Sequence, residues 1–170
     1  MNARATAADG LVAALADIAS ANDDLATLAR EQRKAIAMMA TDAVAAINAQ
    51  QRDAGRRLAD AEVARRQHAA DLGRALALPT SASLADITKA LGQHDADRGD
   101  ALRKASQTAR NAVLSCQREQ RVVHAAATGV VAHLDGLARQ VLAKLNHAGL
   151  YAATGSLATG QAPRGVDLVS

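Results

Sequence analysis

The sequence predicts an all-α protein: an elongated antiparallel helical hairpin or bundle with coiled-coil-like packing and a flexible C-terminal tail. Three observations carry that expectation. About a quarter of the 170 residues are Ala, which has the highest helix propensity and loses no side-chain entropy on ordering. Phe and Trp are absent and Tyr151 is the lone aromatic, whereas strands favour aromatic and β-branched residues. Apolar residues recur three and four apart over long proline-free stretches, the spacing of an amphipathic helix. The same composition thins the core, because Ala buries little surface at roughly 25 cal/mol per Å². Narrow seams and modest stability are expected, with a partner helping to complete the fold.

The first proline-free stretch runs from about Ala5 to Ala77. Leu11, Leu15, Ile18, Leu25, Ala29, Ile36, Met39 and Ala43 form one seam. Val44, Ile47, Ala54, Leu58, Ala61 and Leu72 carry a second seam, displaced by one residue. A one-residue slip turns a seam by about 100°. Two helices, about 5–39 and 42–77, therefore fit better than one bent helix of roughly 105 Å, with Thr41 as a cap for the second. Pro79 ends that helix by restricting Leu78. Ser83 with Asp86 has capping-box spacing and opens a short helix over about 84–91, with Gly92 as its stop. A long helix over about 95–147 follows. Leu102, Ala109, Cys116, Val123, Val130 and Leu137 make one of its tracks; Val113, Gln120, Ala127, Leu134 and Val141 make the other. Its second half is richer in large aliphatics. Gly129 and Gly136 interrupt it, either to admit a close neighbour or to loosen the helix. Residues 1–148 thus form a helical bundle, and the Gly-punctuated stretch 149–170 a flexible tail.

Several classes of function lack support. With 20 basic and 17 acidic residues, there is no basic stripe for nucleic acid and no set of stacking aromatics. His68, His94, His124, His133 and His147 form no HExxH and no pair at i and i+4. There is no phosphate-binding glycine motif and no nucleophile–base pairing. Acidic residues near helix starts favour the helix dipole. No enzyme activity, metal or cofactor is expected. Cys116 is alone and reads as a small core residue. The N-terminal stretch does not look like a secretory signal, and no apolar run is long enough to span a membrane. A soluble cytoplasmic protein is expected.

Several short stretches stand in a suggestive order. Glu31-Gln32-Arg33-Lys34-Ala35-Ile36 precedes the acidic Asp42. Arg65-Arg66 precedes Leu72-Gly73-Arg74-Ala75-Leu76-Ala77-Leu78. Ser83-Leu84 leads to Ile87, and Tyr151 stands four residues before Gly155. Val166-Asp167 comes near the end. In this order they resemble the FlgN family of flagellar export chaperones over nearly the whole chain. One element departs from the family: Gln117-Arg118-Glu119-Gln120 stands before Val122-Val123, where the family often has Asn-x-x-Asn. The resemblance implies a cytoplasmic, non-enzymatic chaperone that binds terminal helices of hook-associated (hook–filament junction) subunits. It implies that the subunits are kept unassembled and delivered to the flagellar type III export gate.

An unsatisfied apolar helix stripe accepts a partner helix, and a flexible tail that orders on binding makes the complex reversible. The stripe expected to take the client is Val130, Leu134, Leu137, Val141, Leu145, Leu150 and Tyr151. The alternative is that its helical members pack on the chain's own first helix. Two other readings share the Ala-rich composition. One is a phasin-like surface coat, although surface binding usually wants bulkier apolar residues. The other is a structural coiled-coil oligomer, with polar Asn22, Gln32, Gln50 and Gln120 setting register.

Overall fold

A computed structural model describes residues 3–147. The described residues form four α-helices: α1 (Ala3–Ala37), α2 (Thr41–Ala75), α3 (Leu84–His94) and α4 (Ala96–His147). The chain divides into two compact units, Met1–Ala127 and Thr128–Ser170. The expected tail, 149–170, lies outside the described residues.

The first stretch is two helices, and the chain reverses where the seam slips. Met39 has φ 53°. Its N–H donates to the Ile36 carbonyl at 3.0 Å, and the Ala40 N–H donates to the Ala35 carbonyl at 2.9 Å. This is a Schellman motif with Met39 at the left-handed position. The end of α1 therefore closes the turn. Thr41 does not cap α2 but is its first residue, and the cap position falls on Ala40, which has no side-chain acceptor. The first seam accordingly stops early. Leu11, Leu15, Ile18, Leu25 and Ala29 are buried, whereas Met39 and Ala43 are exposed beyond the end of α1.

The end of α2 repeats the device. Ala77 has φ 54°, its N–H donates to the Arg74 carbonyl, and the Leu78 N–H reaches the Gly73 carbonyl at 2.9 Å. Pro79 follows and prevents continuation. Helix α3 starts with the expected capping box. The Ser83 hydroxyl accepts from the Asp86 N–H at 3.2 Å, and the Ser83 N–H donates to Asp86 Oδ2 at 2.9 Å. Side-chain and then backbone donation from Ser83 hold the Asp86 carboxyl below its ordinary range. Gly92 does not stop α3, which runs on to His94. Gly92 instead meets α4: a Cβ on Gly99 would lie 2.6 Å from Gly92 Cα. The close approach depends on Gly99, since a Cβ on Gly92 itself would meet nothing within 4 Å. Asp95 then caps α4 by accepting from the Arg98 N–H at 3.1 Å. Hydrogen bonds from Arg98, side chain first, hold the Asp95 carboxyl low.

Helices α1 and α2 run antiparallel, which the cross-helix pairs show. Asp24 pairs with Arg57 at 3.0 Å. Gln32 accepts from Gln51 at 3.0 Å and donates to Asn48 at 2.9 Å. Arg98 donates to Asp9 at 3.0 Å, 89 residues away. Cys116 joins Leu25, Ala26 and Ala54 in one apolar cluster. The first part of α4 thus runs parallel to α1. At that offset the end of α1 comes level with residues around 126. The main core joins Leu11, Leu15, Ile18, Leu72, Leu91 and Leu102. Small residues set the helix spacing: Ala8, Ala29 and Ala54 are at most 1% exposed, and Gly10 lies under the His68 ring.

Two of the four polar seam positions behave as expected of the interior. Asn22 is buried and donates to the Ile18 carbonyl of its own helix at 2.8 Å, and Gln32 forms the ladder above. Gln50 and Gln120 are exposed; Gln51, one residue on, takes the seam role. These polar bonds are satisfied within one chain. Cys116 is buried, as expected, and burial pushes its thiol up from the ordinary value.

Candidate functional site

Along α4, burial ends partway. Leu102, Ala109, Ala112 and Cys116 are buried. From Arg118 to Leu145 no described residue is buried. Yet the sequence there becomes more aliphatic, not less.

Residues 128–147 continue the helix. Leu134, Leu137 and Val141 are 50%, 44% and 56% exposed. Val130 and Leu145 are half-buried. Spacings of four, three, four and four put these five on one face at about 100° per residue. Val131 and Leu142 are also exposed, at 60% and 59%. They follow Val130 and Val141 directly and widen the apolar face to roughly 140°. The expected stripe omitted both, although the adjacent aliphatic pairs Val130-Val131 and Val141-Leu142 were a readable signal. Leu150 and Tyr151, the remaining expected members, lie outside the described residues. Asp135 and Arg139 fall off the apolar face; Arg139 Nε reaches only the Asp135 carbonyl, at 3.4 Å. Gly129 and Gly136 have open space where a Cβ would stand, so neither admits a close neighbour among the described residues.

This face has no catalytic chemistry to offer. It carries alkyl side chains on a regular helix. Among the described residues no cluster of His, Cys, Asp or Glu could hold a metal ion. No described helix is long and apolar enough to cross a membrane. An aliphatic face of this width on a helix suits another amphipathic helix, laid along it with anchors at i, i+3, i+4 and i+7. Contiguous exposed apolar surface of this kind marks interaction sites.

The described residues thus form an all-helical fold with an exposed aliphatic face on its last helix. Among known families, the family model described as FlgN protein covers residues 1–159. The chain belongs to the FlgN family, flagellar export chaperones and not enzymes. No curated protein and no solved structure matches it.

Proposed function

We propose that this chain is a cytoplasmic chaperone that binds the terminal helices of hook–filament junction subunits, holds them unassembled and brings them to the flagellar type III export gate. The observation that carries the reading is the row Val130, Leu134, Leu137, Val141 and Leu145. Leu134, Leu137 and Val141 stand about half uncovered on a regular helix, with Val130 and Leu145 half-buried beside them, and solvent contact there costs about 25 cal/mol per Å². A client terminal helix relieves that cost and in the same step hides its own assembly surface. Leu150 and Tyr151 extend the contact in this proposal, with the tail 149–170 ordering as it binds.

The test mixes full-length protein with a terminal fragment of a junction subunit and reads size-exclusion elution. Co-elution is expected, and removal of residues 146–170 is expected to weaken it. Separate elution with every such fragment contradicts the proposal, as does co-sedimentation with lipid droplets or polymer granules in its place.

A further inference from the structure

We propose that a cavity between the end of α2 and the α2–α3 connection is a second docking site. Its occupant is an acidic segment of a partner protein presenting one aliphatic side chain between carboxylates. The cavity measures about 300 Å³, the small end of the range for binding pockets. Leu78, Pro79, Ala82 and Ile87 make one wall and Ala69 and Gly73 the other. Arg65, Arg66 and Arg74 stand around it, and among the described residues no acidic side chain lines it. The site lies within residues 1–127 and uses none of the aliphatic face on 128–147, so it stands or falls separately from the client reading.

Charge decides the chemistry of the occupant. Arg65 is engaged by Glu62 at 2.9 Å and Arg74 by Asp71, both one turn away on the same helix. The Arg74 pair is exposed, and such pairs are weak and exchange readily; the Arg65 pair is partly buried. Among the described residues no carboxylate pairs with Arg66, whose Nε donates to the Glu62 carbonyl at 3.3 Å. Arg65 and Arg66 are adjacent and Arg74 stands more than two turns further along α2, and each guanidinium can take a carboxylate in two-point fashion, which a planar fork favours. The carbonyls of Gly73 and Arg74, which would repel an anion, already accept from Leu78 and Ala77. The apolar walls exclude a bare anion as the full occupant. An aliphatic side chain fills the cavity while flanking carboxylates meet the arginines. Gly73 leaves the room, since nothing stands within 4 Å of where its Cβ would be.

The probe is the peptide acetyl-Glu-Asp-Leu-Glu-Asp-amide, titrated into isotope-labelled full-length protein with amide shifts read by NMR. Shifts clustered on Ala69, Gly73, Ala82 and Ile87 are expected, at an affinity that falls as salt rises. The double change Arg66→Gln and Arg74→Gln should weaken binding about tenfold or more, as loss of one strong contact does, with the helical circular dichroism unchanged. A version of the probe with Ala for Leu should bind more weakly. Three results overturn the proposal. They are no clustered shifts, equal binding by the double variant, and the same shifts from the Ala peptide or from inorganic phosphate alone.

Discussion

Replacing Leu134, Leu137 and Val141 together by Ala is the sharpest perturbation of the proposed client face. These side chains are 50%, 44% and 56% exposed in the free chain. Fully burying a Leu or Val is worth about 1.5–3 kcal/mol, so roughly 1 kcal/mol remains to be gained at each when a client covers it. Alanine retains part of that, leaving a loss of about 2 kcal/mol for the three. At 1.4 kcal/mol per decade, Kd for a client fragment rises about 30-fold. Fluorescence anisotropy with a labelled junction-subunit fragment, at fixed salt, reads this directly. The free chain should stay as helical as before, because Ala has the highest helix propensity. A core change gives the contrast: Leu11→Ala, at a fully buried position, should cost about 2–5 kcal/mol of folding stability. A Kd for the triple variant within threefold of the parent would refute the reasoning.

Other outcomes follow from backbone geometry and capping. Met39→Gly and Ala77→Gly each place glycine at a left-handed helix end, where other residues cost about 1–2 kcal/mol. Urea unfolding should show each variant more stable, by about 0.5–1 kcal/mol after the entropy of glycine is subtracted; a loss of stability argues against these turns. Gly99→Ala sets a methyl 2.6 Å from Gly92 Cα and should lower stability by about 1–3 kcal/mol. Gly55→Ala, with nothing within 4 Å, should raise it by about 1 kcal/mol, and equal effects from the two would contradict the α3–α4 approach. The Asp86 carboxyl is held low by Ser83, so its contribution is present above its ordinary value near 3.8. That contribution fades as pH falls through the lower folded value. Asp86→Asn should thus unfold more easily than the parent at pH 7, with the gap closing below about pH 4. A gap that is constant with pH rules out the carboxylate as its source.

Much of the fold was legible because each helix end has a local cause. The seam slip at residues 40–42, Pro79 and the Ser83–Asp86 box all mark boundaries that short-range chemistry imposes. Thr41 and Gly92 were misread for one reason. Capping residues announce a boundary only when the backbone there is free to use them. At Thr41 the reversal was already closed by Met39 in a left-handed conformation, which an ordinary side chain does not advertise. At Gly92 a Cβ would meet nothing, and the glycine that matters is Gly99, whose missing Cβ lets α4 approach the Gly92 backbone, a closeness that only tertiary packing supplies. Gln50 and Gln51 differ by one residue, about 100° on a helix, and pattern alone does not resolve such a choice. On the candidate face, spacing gave the row from Val130 to Leu145 but not its breadth through Val131 and Leu142. The arginine-rimmed cavity was least visible. Its walls come from α2, the connection and α3, and no single stretch of sequence holds them together.

Hydrogen exchange of the full-length chain, alone and with a junction-subunit terminal fragment, tests the central claim most directly. If the aliphatic face of α4 receives the client, amides over residues 130–145 become protected in the complex. Those of Leu11 to Ala29, already deep in the bundle, should change little. Complex formation that leaves residues 130–145 exchanging as in the free chain, with protection elsewhere, would contradict it.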